Sequence, residues 1–316
     1  MNIVTTRIYC ISSPLSIKRF NHVKNIRDIK DMIDQASLYI IANRDEVPHI
    51  ELVEESPISG VLTDFDDSQY VMMNFKLCKN NYCLHAAYLL PDNVDRGLFV
   101  QSISSITIEE LLYSTRQNYG RFVWIGDIVP LITYDVFYVG HCINEPLTKR
   151  FKAHHTLQEM LIEEKVLSSH RNKADELILF PLYIDSQVMS LITPRTIEKE
   201  AEKAFLNDYD FGNREINLDA EKALVHNLNP KYNKVRFKKY PNSDDGLDNT
   251  NANVYTYSIG EYVLFKYDNG IIYGHPDDNY TSKIVGDDDG FTKIYDPGES
   301  ITKRYMSRIF PYSDIE

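Results

Sequence analysis

Two charged residues sit where apolar ones are expected. In the segment that begins at Pro146, Leu147, Arg150, Phe151, His154 and Leu161 follow at offsets of 0, 3, 4, 7 and 14 residues. Those offsets share one face of a helix. Arg150 and His154 therefore lie on an apolar stripe, where a guanidinium is costly without an anionic partner. Farther along, Leu218, Glu221, Val225 and Leu228 fall at offsets of 0, 3, 7 and 10, so Glu221 interrupts a second apolar stripe. A carboxylate so placed needs a cation, either an arginine or a metal ion. A structural Arg150–Glu221 ion pair is one arrangement that satisfies both. A third feature is KYNKVRFKKY at 231–240, where Lys231, Lys234, Arg236, Lys238 and Lys239, with Lys222 one helix earlier, interleave with Tyr232, Phe237 and Tyr240. That mixture suits phosphate contact and base stacking, and it also describes a solvated edge strand.

These side chains need particular elements to position them. The runs RFVWIGDIVPLI and DVFYVGHCI are aromatic and β-branched and are expected to form paired strands. A helix follows, capped by Asn144 or Glu145, with Pro146 in its first turn. ELILFPLYI at 176–184 reads as a third strand, and a charged helix is expected near 195–208. The helix bearing Glu221, near 218–228, stops at Pro230.

The order of these parts resembles the GIY-YIG nuclease family over residues 118–236. The second strand reads Tyr138-Val139-Gly140, Arg150 and His154 keep a four-residue spacing, and EKALVHNLNPKYNK resembles the family's glutamate segment. The first half-motif aligns as Gly120-Arg121-Phe122, which puts a residue without a hydroxyl in the place of the first tyrosine. The resemblance implies a small central antiparallel sheet flanked by helices. It also implies an endonuclease of the restriction, repair or defence type that hydrolyses phosphodiester bonds in DNA, RNA being the less favoured substrate. Glu221 would hold one Mg2+ or Mn2+, Arg150 would meet the scissile phosphate, and Tyr138 would be the general base, with His141 or His154 as substitutes. His141, Asn233, Lys231, Lys234 and Arg236 are the expected substrate contacts. Phe122 also leaves room for a non-catalytic module that only binds nucleic acid or protein.

The flanks of this segment differ from it in charge. Residues 136–240 carry 16 Lys+Arg against 15 Asp+Glu, whereas the whole chain of 316 residues has a net charge of −12. Phosphate contact must therefore be local, because the overall field repels it. The acidic flanks suggest a protein partner or a second copy of the chain. A hydrophobic fraction of 43% is that of a globular protein, and the alternation of strand-like and helix-like runs reads as α/β. Four cysteines are too few for a disulfide framework in a chain this long, and CKNNYC has no second cysteine pair to complete a zinc site. The run DFDDSQ at 64–69 reads as a solvated loop. There is no apolar run of membrane-spanning length and no signal-peptide pattern, so no membrane association and a cytoplasmic location are expected. The division expected is an N-terminal α/β domain at 1–115, the nuclease-like domain at 116–240, an acidic linker at 241–253 and a small β-rich domain at 254–316. The last is signalled by VYTYSIGEYVLFKYDNGIIYGHP, two strands around an Asp-Asn-Gly turn.

Overall fold

The apolar run that opens the chain forms β1 (Asn2–Cys10), and its strand neighbours come from distant parts of the sequence. In a computed structural model, residues 1–44, 46–53, 69–78, 81–152, 155–167, 177–190, 213–242, 245–250 and 252–301 are described. Among them are eight α-helices, one large mixed sheet and one small antiparallel sheet. The helix expected near 195–208, most of the DFDDSQ run and His154 lie outside the described residues. No helix among those described is long and apolar enough to cross a membrane.

The large sheet uses β1, β2 (Leu15–Ser16), β3 (Leu38–Asn43), β8 (Thr133–His141), β9 (Leu177–Ser190) and the five strands β10 to β14. The last five are β10 (Val254–Ile259), β11 (Val263–Tyr267), β12 (Gly270–Gly274), β13 (Lys283–Asp287) and β14 (Thr292–Tyr295). Their order is β12-β11-β8-β3-β9-β1-β10-β13-β14, with β2 added beside β9. Its middle is an antiparallel triple, β8-β3-β9, while β11 joins β8 and β10 joins β1 in parallel. Ile259 ends β10 and Val263 starts β11, yet five strand spacings separate the two along the sheet. That is about 24 Å at the usual strand separation, and so short a connection reaches only about 14 Å when extended. The sheet must therefore curl back on itself. The His275 N–H donates to the Ile259 carbonyl across the closing edge, 3.0 Å away.

Inside the curl lies the helix that carries Glu221, here α8 (Asn213–Leu228) after seven earlier helices. Ile216, Ala220, Ala223, Leu224 and Leu228 pack there against Leu38, Ile40, Val139 and Phe180. The outer face is covered by α1 (Ile17–Val23), α2 (Arg27–Ile33), α6 (Leu147–Lys152) and α7 (His155–Leu167), around Phe20, Ile33, Leu147 and Met160. Every residue of β3 is buried because both faces are covered, as its unbroken apolar run requires.

The small sheet, β4 (His49–Leu52), β5 (Tyr70–Leu77), β6 (Tyr82–Leu89) and β7 (Arg121–Ile125), is inserted between β3 and β8. It packs against α3 (Arg96–Ser102) and α4 (Ile108–Arg116), and α5 (Val129–Ile132) leads from it into β8. Three expectations are corrected here. RFVWI and DVFYVGH are not partners: β7 pairs with β6, and α5 intervenes. The expected domain boundaries cut through one sheet, since β1, β3, β8, β9 and β10 to β14 all belong to it. The acidic linker is packed in part, with Leu247 fully buried and its N–H donating to Asp219.

Candidate active site

Tyr138 is aimed by a bulge. Ile41 pairs with Tyr138 and Ala42 with Val136, so Phe137 has no partner across β3. The extra residue turns Phe137 and Tyr138 to the same face, while Val136 and Val139 go to the other. Tyr39 of β3 pairs with Gly140, and its ring stacks on Tyr138 with centroids 5.8 Å apart. A Cβ at Gly140 would lie 2.7 Å from both the Tyr39 hydroxyl and the Tyr138 ring, so the two rings require glycine there.

Arg150 comes to the same place from α6. Asp34 anchors the start of that helix, accepting from the Thr148 N–H at 2.8 Å and from its hydroxyl at 2.9 Å. Burial acts to raise the Asp34 carboxyl, but Lys30 and Thr148 outweigh it and hold it below the usual range. The Arg150 Nε–H donates to the Tyr39 hydroxyl at 3.2 Å. Tyr39 is fully buried, and burial, reinforced by Tyr138, pushes its phenol well above the ordinary value. It keeps its proton and meets no solvent. Tyr39 positions Arg150, whereas Tyr138 and Arg150 are half-buried and reach the surface.

Glu221 does not pair with Arg150. Its Oε2 lies 2.7 Å from the Nδ1 of His141, three residues past Tyr138 on the same strand. With a neutral ring, Nδ1–H donates to the carboxylate and Nε2 stays an acceptor. Beside His141, burial pushes the Cys142 thiol up to about 12.

Asn233 has a different place from the one expected. Its Oδ1 accepts from the Val139 N–H at 2.9 Å and its Nδ2 donates to the Val139 carbonyl at 2.8 Å. The carboxamide thus completes the edge of β8 beyond its pairing with β11, and the Tyr232 N–H donates to Phe137 beside it. It fixes the strand, with both polar atoms of the side chain bonded to the backbone. KYNKVRFKKY forms turns, not a strand. Arg236 donates to the carbonyls of Pro230 and Lys231, Lys231 lies over the Phe137 and Tyr232 rings, and exposed Lys234 faces Glu159 at 3.4 Å. Lys222 is no part of a surface patch: it is buried against Asp245.

The expected first half-motif, Gly120-Arg121-Phe122, runs into the small sheet. Phe122 lies in the small sheet, stacked on Trp124 at 4.2 Å and packed beside Phe75 and Tyr88. The tyrosine that meets Tyr138 is Tyr39, which sequence reasoning missed. The available signal was the strand-like run LYIIAN, but an insertion of nearly ninety residues (44–132) separates it from β8.

As for metal, Glu221 is largely buried, and one of its oxygens is not engaged by His141. A single carboxylate of that kind, completed by water, suits Mg2+. Among the described residues the only group of three close ligand-type side chains is Asp287, Asp288 and Asp289, where Asp287 caps its own turn through the N–H groups of Asp289 and Phe291. Cys78 and Cys83 are exposed free thiols. No protein-family model, curated protein or solved structure matches this chain.

Proposed function

We propose that the chain is a metal-dependent endonuclease that hydrolyses phosphodiester bonds in DNA, on a site resembling that of the GIY-YIG nucleases. The observations that carry this reading are the Tyr39–Tyr138–Arg150 cluster beside Gly140 and the Glu221–His141 pair at the next residue of β8. Tyr39 stands where the family's first tyrosine would, and the small sheet is then an insertion between the two half-motifs. Phe122, which favoured a non-catalytic module, belongs to that insertion and bears on neither.

Each accessible side chain has a task that fits its surroundings. Arg150, held by Tyr39, neutralises the charge that grows on the scissile phosphate. Glu221 offers its free oxygen to the metal while His141 fixes the carboxylate from behind. A bound Mg2+ or Mn2+ would supply charge stabilisation at the leaving oxygen. The attacking water can give its proton to His141 or to Tyr138. Supercoiled plasmid titrated with Mg2+ tests the reading. Nicking that rises with Mg2+ and stops in EDTA is expected, whereas binding with no cleavage at any Mg2+ or Mn2+ concentration contradicts it.

A further inference from the structure

Two cavities meet at the lysine in the middle of β11. One, of about 670 Å3, lies between the turn after α8 and the β11–β12 hairpin, and its lining includes Phe137, Leu228, Lys266 and Tyr267. The other, of about 560 Å3, lies between that hairpin and the start of the small sheet, and its lining includes Arg44, Leu77, Pro130 and Lys266. Asp135, Lys266 and Ile271 line both, so the two form one trough across the start of β8. One end opens at Phe137, next to Tyr138. Leu228, at that end, is seven residues along α8 from Glu221, a rise of about 10 Å.

The groups along the trough are those that a polynucleotide strand needs. Lys266 is exposed and makes no ion pair among the described residues. Arg44 is 5% exposed. One of its terminal nitrogens holds Glu109, but its buried Nε–H has no acceptor. Tyr267 and Phe137 give half-buried ring faces at the other end. Asp135, Asp268 and Glu46 also line the trough. They repel phosphate and suit the amino groups of bases. Each cavity is of a size that takes one small ligand at a time, which suits successive nucleotides of a single strand.

We infer that the trough carries an unpaired stretch of one DNA strand adjoining the Tyr138–Arg150 site. A phosphate lies at Lys266 and a base stacks on Tyr267. The inference rests on the nuclease reading and deepens it: the substrate is DNA that is single-stranded beside the cleaved bond.

Fluorescence anisotropy in EDTA measures this without cleavage, using a blunt duplex and the same duplex with a ten-nucleotide single-stranded tail. The tailed duplex is expected to bind at least tenfold tighter. Lys266→Glu should remove most of that advantage and leave the blunt duplex unaffected. The milder Lys266→Gln should lower the salt slope of the tailed complex by about 1, and it keeps the test valid where the glutamate variant folds poorly. A tail with no advantage, or an advantage untouched by Lys266→Gln, overturns the trough. Cleavage of the tailed substrate in Mg2+, read in parallel, separates the two ideas. Cleavage without tail preference removes the trough and keeps the nuclease, and a Lys266-dependent tail preference without cleavage does the reverse.

Discussion

Arg150 keeps its direction because its Nε–H has an acceptor in Tyr39, and Tyr39 keeps its own place because Tyr138 and Phe151 pack on it. A phosphate clamp misplaced by about 1 Å can lose about a hundredfold in rate. Tyr39→Phe retains the stack and removes only the acceptor. Its cleavage rate should fall by about 10- to 100-fold, with the melting temperature nearly unchanged. A wild-type rate would mean that Arg150 is held by something else. Asn233 is a purely structural counterpart. Asn233→Ala leaves the N–H and carbonyl of Val139 without their partner, at about 1–3 kcal/mol for each group that stays buried, and urea unfolding measures the loss. A variant as stable as the wild type would show that solvent replaces the carboxamide there.

Between elements, α4 ties the inserted sheet to the large one. Glu109 on α4 accepts from Arg44, just past β3, and from the Tyr134 hydroxyl on β8 at 2.8 Å. Arg116, at the end of the same helix, meets Glu261 at 2.9 Å and donates to the Cys10 carbonyl. Glu109→Ala strands a buried guanidinium and should cost about 3–5 kcal/mol, read by denaturant titration; a loss below about 1 kcal/mol would show the pair to be solvated. The helical segments that carry Arg150 and Glu221 were legible in the sequence because each has its own signal. Capping residues and three- and four-residue periodicity marked one helix from Pro146, where α6 and α7 lie, a terminal Pro230 marked the end of α8, and Asp-Asn-Gly marked the β11–β12 turn, whereas α5 was read as part of a strand. Strand partners were not legible. Alternation shows which residues face a core, but not which strand lies alongside. The apolar run of β7 was as good a partner for β8 as that of β3, and it was far nearer in sequence. The expected pairing of RFVWI with DVFYVGH came from that nearness. Arg150 and Glu221 stood out because each broke an apolar stripe, whereas Tyr39, an aromatic within an apolar run, broke nothing.

In the molecule as a whole, the curled sheet places two carboxyls deep inside. Burial, against the pull of Arg116 and the Cys10 N–H, raises Glu261 to about 7. Burial likewise raises Asp219 to about 6, against hydrogen bonds from Tyr257, Leu247 and Tyr240. Both carboxyls have lower values in the unfolded chain, near 4, so between there and pH 7 the folded chain binds more protons. Stability from these groups is therefore full below about pH 4 and is lost as pH rises through 6 to 7, by about 3 kcal/mol for each. Urea unfolding at pH 5.5 and pH 8 should show the lower stability at pH 8, with the difference reduced in Glu261→Gln. Equal stability at both values would contradict these protonation states. The same curl wraps α8 so that Glu221 stands at the end of β8 beside His141, and the claim that this is a metal-dependent phosphodiesterase centre depends on that one carboxylate. The most direct test is the rate of plasmid nicking at saturating Mg2+ by the wild-type chain and by Glu221→Gln, matched for melting temperature and DNA affinity. The account predicts nicking by the wild type and a loss of at least a hundredfold in the variant. Equal rates, or no nicking by either, would contradict it.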